Sequence, residues 1–164
     1  MFRSLLPLLI AALPGFGMSV TAVAEEQLAL FSAEGYRQTQ YRSPTPATAE
    51  GAQTLDTAAL QALLAKEPDV VLVDVYRSQW LAGRFVDSEP HANLPGSIWL
   101  ANTGDGNLQP EWASYFSDNL KRLSQGDAER PLVFYCRSDC WLGWNATRRA
   151  HALGYKRLYW YRDG

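Results

Sequence analysis

Cys136 and Cys140 are the only two cysteines of the 164-residue chain, and they stand four apart in the run Cys136-Arg137-Ser138-Asp139-Cys140-Trp141. Thiols at that spacing support three chemistries. In the first, a Cys136 thiolate attacks a sulfur electrophile to give a mixed disulfide or a persulfide, and Cys140 displaces the bound group by closing a Cys136–Cys140 bridge. In the second, the bridge is a permanent staple, although so short a ring stabilises by only about 2–3 kcal/mol before native strain is subtracted. In the third, the pair holds a soft metal, copper(I) above all, because thiolates select it and few ligands suffice. Other cysteine chemistries fit poorly. Covalent haem attachment wants C-x-x-C-H, whereas here the spacing is one longer and Trp141 stands in the His position. Zinc would require His91 and His151 as well, one remote from the pair and the other on the following helix. Phosphotyrosine-type catalysis lacks its anion-clamping Arg, since the sixth residue after Cys136 is Leu142.

The pair lies between two regular elements. Pro131 to Tyr135 reads as a buried strand, and Trp144 to Leu153, closed by Gly154, as a helix. In a strand-to-helix loop, backbone N–H groups converge and the helix N-terminus adds partial positive charge, which favours a thiolate. Arg137, Arg148 and Arg149 are close enough in sequence to strengthen that field, and Asp139 opposes it. Upstream, Asp56 caps a helix over Thr57 to Lys66 with a stripe of Ala59, Leu60, Leu63 and Leu64, stopped by Pro68. Val70 to Val73 is a continuous apolar run suited to a strand buried on both faces, ending at Asp74. Ser97 to Leu100 is a strand after the Pro95-Gly96 turn. Glu111 to Leu123 is an amphipathic helix with Trp112, Tyr115, Phe116, Leu120 and Leu123 inward, and Arg157 to Tyr161 is a last strand.

Such alternation predicts an α/β fold with a mainly parallel sheet, helices on both faces, and ligands beyond the carboxyl ends of the strands. A thioredoxin-like arrangement is disfavoured, because only one helix and one strand follow Cys140. Another strand end carries Asp74-Val-Tyr-Arg77. Asp74 there is either a structural carboxylate binding loop amides or a general base. Arg77 either holds an anion or forms a surface ion pair. All six Trp fall between positions 80 and 160, mostly as core; Trp141 and Trp144 either pack in it or stack over a planar group. His151 reads as an ordinary, partly buried histidine.

Composition bounds what the domain can meet. The chain is 47% hydrophobic and 20% charged with a formal net charge of -2, which excludes a disordered chain and offers nucleic acid no attraction. Arg3, the apolar run Leu5 to Leu13, the Pro14-Gly15 break and Ala22-Val23-Ala24 read as a signal peptide over residues 1–24, cleaved after Ala24. Export to the periplasm places both cysteines in an oxidising compartment. Beyond that segment no window approaches the ~20 apolar residues a spanning helix needs, so the mature chain is not expected to cross a membrane. Residues 25–53, interrupted by Pro44-Thr45-Pro46, read as a loosely structured arm that Phe31, Tyr36 and Tyr41 lay on the domain.

Taken in order, Val70-Val-Leu-Val-Asp74-Val-Tyr-Arg77, His91-Ala-Asn-Leu-Pro95-Gly96-Ser-Ile98, Leu132-Val-Phe-Tyr135-Cys136 and Arg149-Ala-His-Ala-Leu-Gly154-Tyr155-Lys-Arg-Leu-Tyr-Trp160 resemble the blocks of a rhodanese-like domain, over residues 54–164. With the Cys136-x-x-x-Cys140-Trp141 segment, the leader and the Tyr41-Arg-Ser-Pro-Thr-Pro46 arm, the chain is similar to exported proteins named for a CXXCW motif and associated with PQQ-dependent catabolism. The resemblance implies a rhodanese-like, mainly parallel five-stranded sheet. It puts Cys136 at the sulfurtransferase nucleophile position. The residues themselves make Cys140 the resolver and set Arg137, Ser138, Asp139, Trp141, Asp74 and Arg77 as candidates to bind a substrate or, in a non-enzymatic periplasmic binding module, copper(I) or a redox cofactor. It further implies a periplasmic redox protein or quinoprotein dehydrogenase system as partner. The chain departs from the family where Asp139 and Trp141 replace the usual Gly and Arg. Losing that Arg removes a bidentate anion donor, so thiosulfate is expected to be a poor substrate. Two extra residues between His91 and Pro-Gly withhold from His91 the role of its family counterpart. The sequence stops at Arg162-Asp163-Gly164, short of where such domains usually continue, and reads as a truncated member.

Overall fold

The computed structural model describes residues 30–42, 44–86 and 90–164. The expected signal peptide and its cleavage site lie outside them. Five parallel strands form the sheet: β1 (Ala52–Leu55), β2 (Val71–Asp74), β5 (Ile98–Trp99), β6 (Leu132–Tyr135) and β7 (Leu158–Tyr161), in the order β1-β7-β6-β2-β5. A separate antiparallel hairpin, β3 (Gln79–Leu81) with β4 (Arg84–Val86), follows β2. Three helices complete the domain: α1 (Thr57–Lys66), α2 (Pro110–Ser124) and α3 (Trp141–Ala152).

Alternate residues of each strand point to opposite faces, and the two faces bury different helices. Val73, Leu132, Phe134 and Leu158 pack with Phe116 and Leu120 of α2 and Leu142, Ala146 and Ala150 of α3. Leu72, Val133, Tyr135 and Tyr161 face the other way, onto Leu60 of α1 and Leu55 of β1. Every residue of β6 is buried, as suits the middle strand of a sheet covered on both sides. As the sequence predicts, α1 runs Thr57–Lys66, with the Asp56 carboxylate accepting from the Ala59 N–H at 2.8 Å. Past α3, Gly154 takes φ +94, the left-handed conformation glycine adopts without cost.

Several expectations need correction. The α3 helix begins at Trp141, three residues earlier than expected, because Cys140 is its extended N-cap and Gly143 fits where the helix lies close to the Tyr135 backbone and the Trp160 indole. The strand β1 begins at Ala52, inside the segment read as irregular. Its pattern is too short to see alone, and it exists because β7 offers a parallel edge, Ala52 opposite Leu158 and Leu55 opposite Tyr161. The β3–β4 hairpin was also not expected; its residues are mostly exposed, so no buried pattern marks it. His151 is exposed rather than partly buried.

Candidate functional site

Chain direction places the chemistry. Asp74 and Tyr135 are paired at the carboxyl ends of β2 and β6, and Cys136 is the next residue out of the sheet. Cys136 and Cys140 are joined in a disulfide, with Cα atoms 6.3 Å apart, and both are buried, at 5% and 3% exposure. Within this five-residue loop Arg137, Ser138 and Asp139 are exposed, and Asp139 adopts φ +48, which Asp tolerates better than most residues. The arm closes over the loop. Arg42 and Cys140 form an isolated antiparallel bridge, the Trp141 N–H donates to the Tyr41 carbonyl at 3.0 Å, and Arg42 Nη1 donates to the Ser138 carbonyl at 2.6 Å.

The early start of α3 puts Cys140, rather than Cys136, at the helix N-terminus. Arg148 and Arg149, close to the pair in sequence, make their hydrogen bonds elsewhere. Arg148 donates to the Gly35 carbonyl and pairs with Glu50, while Arg149 forks onto the Thr103 and Asp105 carbonyls at 2.8 and 2.7 Å. Both tie other segments to the back of α3. Arg137 remains, its guanidinium 4.0 Å from the centre of the Tyr76 ring.

Two adjoining cavities open beyond the strand ends. A pocket of about 250 Å³ is lined by Cys136 with His91, Asn93, Tyr135, Arg137 and Gly164. A cleft of about 310 Å³ lies beside it, lined by Tyr76, Arg77, His91, Trp99, Asn102 and Arg137. His91 and Arg137 border both. Arg77 pairs with Asp105, its Nε donating at 2.7 Å, and lies over the Tyr41 ring, so its charge is engaged with the arm side of the cleft. Burial pushes the Asp105 carboxyl above its ordinary range, against the pull of Arg77 and Arg149.

Asp74 is fully buried beneath the cavities. One carboxylate oxygen accepts the Tyr76 N–H at 2.8 Å and the other lies 2.8 Å from His91 Nε2. Burial raises the Asp74 pKa, and the Tyr76 N–H and His91 pull it back. The structure thus joins Cys136, Arg137, Asp74 and Arg77 around one pair of cavities. Trp141 instead packs with Trp144, Trp160 and Ala49 under the arm. Sequence reading missed His91, Tyr76 and Tyr135 as cavity residues. For His91 the one available signal was a histidine a loop away from a buried Asp; its partner is set by tertiary structure. Among the described residues no group of three His, Cys, Asp or Glu side chains is arranged to hold a metal ion.

No curated protein matches the chain. Among solved structures it is similar to an uncharacterized protein from Saccharomyces cerevisiae, at 23% identity over 69% of this chain and 87% of that one, with a TM-score of 0.44. Human single domain sulfurtransferase TSTD1 is similar at 23% identity, over 69% of this chain and 91% of that one, with a TM-score of 0.44. A polysulfide-sulfur transferase homodimer from Wolinella succinogenes follows at 15% identity, 70% of each chain and a TM-score of 0.42. The rhodanese-like domain family model matches residues 56–164, from the cap of α1 through β7, and the chain belongs to that family.

Proposed function

We propose that this protein is an exported rhodanese-like domain whose Cys136–Cys140 pair performs thiol-disulfide or sulfane-sulfur exchange. Cys136 takes the incoming sulfur, and Cys140 resolves the adduct by closing the bridge. The observation that carries this reading is the disulfide across a five-residue loop whose Cys136 end lines a pocket at the carboxyl ends of the strands. A bridge meant only as a staple would cross-link a longer loop, where closure removes more unfolded-state entropy. Cys140 at the N-terminus of α3 is placed to leave as a thiolate. With Trp141 in the core where a sulfurtransferase keeps an Arg, a thiol, persulfide or disulfide fits better than thiosulfate as the reacting partner.

In the same reading the protein acts in the periplasm after cleavage behind Ala24, and serves a redox protein or quinoprotein dehydrogenase system of PQQ-dependent alcohol oxidation. The leader-like N-terminus and the Cys136-x-x-x-Cys140-Trp141 run support this. The deciding experiment is the reduction potential of the pair in the mature protein, by thiol trapping and mass spectrometry in glutathione buffers. A value above about -250 mV marks a labile, functional pair, and one below about -300 mV marks a structural bridge and overturns the reading.

A further inference from the structure

Among the groups at the cavity mouth, one is built to move a proton. The His91 ring is clamped between Tyr76, stacked at 4.9 Å with planes 20° apart, and Trp99 at 4.6 Å. Trp99 is itself fixed by its Nε1–H donating to the Tyr76 carbonyl at 2.8 Å. Nε2 meets the fully buried Asp74 carboxylate at 2.8 Å, and the side chain keeps 10% exposure where it borders the pocket that Cys136 lines. A neutral imidazole that donates from Nε2 to a carboxylate carries its lone pair on Nδ1. Nδ1 has no hydrogen-bond partner among the described residues. Aromatic packing, a buried carboxylate on one ring nitrogen and a ring that lines the same pocket as a cysteine supply the parts of an orienter and base for nucleophilic catalysis.

Resting on the function proposed above, we propose that His91, oriented by Asp74, is the proton-transfer residue for sulfur exchange at Cys136. A low-molecular-weight thiol entering the pocket gives its S–H proton to His91 Nδ1, and its sulfur bonds to Cys136 Sγ. The Cys136–Cys140 bond breaks, and Cys140 leaves with the electron pair as thiolate and is protonated from solvent, to which the imidazolium returns its proton before the second thiol arrives. A second thiol repeats the attack on the mixed disulfide, releasing the external disulfide and a Cys136 thiolate that recovers a proton from the imidazolium. Two thiols are oxidised and one protein disulfide is reduced. Among the described residues, the charged and titratable groups near the ring are Asp74 at the end of β2, Tyr76 and Arg77 just beyond it, Tyr135 from β6 and Arg137 from the cysteine loop.

The test is the rate at which β-mercaptoethanol opens the disulfide of the full mature protein, followed from about pH 5 to 9 across the His range. The imidazole signals of the same sample give the titration of His91, readily separated because His151 is the only other histidine. Wild type should show a segment where the rate is independent of pH, beginning where His91 loses its proton. His91→Gln should lose that segment and slow by roughly 10²-fold near neutrality, with the rate then rising in step with thiol ionisation, while His151→Gln stays as wild type. A wild-type profile that follows thiol ionisation alone overturns the proposal even if His91→Gln fails to fold. So does a folded His91→Gln that keeps the wild-type rate and profile. A labile reduction potential with either result leaves the exchange function standing without His91, whereas a structural potential removes both.

Discussion

Arg42 and Cys140 face each other in an isolated antiparallel bridge, so the arm is bonded to the residue that closes the disulfide. Opening the bridge frees the loop that the arm grips through Ser138 and Trp141. Native-state hydrogen exchange should show the Trp141 amide exchanging about tenfold faster in the reduced protein, while amides of β6 keep their protection. Equal exchange in both redox states would separate arm docking from the disulfide.

The two cysteines should behave differently as single variants. Cys136→Ser should abolish reaction with a disulfide or sulfane-sulfur donor, and Cys140→Ser should trap the adduct on Cys136, visible by intact-mass spectrometry. Equal reactivity would remove the assignment of nucleophile and resolver.

Asn145 secures the arm from within. Fully buried, it accepts the Arg37 N–H at 2.9 Å and donates to the Arg37 and Gly104 carbonyls at 2.8 and 2.9 Å. Asn145→Ala leaves these backbone groups without their partner. Denaturant titration should read a loss of about 2–3 kcal/mol, a value typical of orphaned buried groups. Trp160→Ala, which empties the indole site among Trp141, Trp144 and Ala49, should cost more, about 3–5 kcal/mol.

Tyr135 gives a pH signature. Burial raises its pKa to about 12, although the hydroxyl donates to Ser97 Oγ at 2.7 Å and accepts from the Leu94 N–H at 3.0 Å. Its folded pKa exceeds the unfolded one, so the folded state holds this proton more tightly. The resulting stability is fully present below pH 10 and is lost between about 10 and 12. Phenolate absorbance should lose its latest-ionising component in Tyr135→Phe, and the substitution should flatten stability across that window.

How far the sequence could be read depended on where each signal lay. Continuous apolar runs such as Val71 to Val73 and Leu132 to Tyr135 announced buried parallel strands, and Asp56 announced its helix, because burial and capping act locally. The strand Ala52–Leu55 carried no such pattern, since it depends on an edge supplied by β7. The same held at the site. Cys136 and Cys140 were visible from type and spacing, and Asp74 from its place at a strand end. The Asp74–His91 contact and the turning of Trp141 into the core were not, because each depends on how distant segments meet.

The pairing of β1 with β7 bears on how the protein is made. The sheet's first strand in sequence finds its partner in its last, so a folding chain cannot complete the β1 edge until the segment up to Tyr161 is in place. Until then Ala52–Leu55 waits without a partner, and closing so long a loop makes this a late event in folding. Once β7 has joined β6, its outer edge, Leu158-Tyr-Trp-Tyr161, is an aromatic strand open to pairing with other chains for as long as β1 is undocked. The few residues of β1, once docked, cover that aromatic edge.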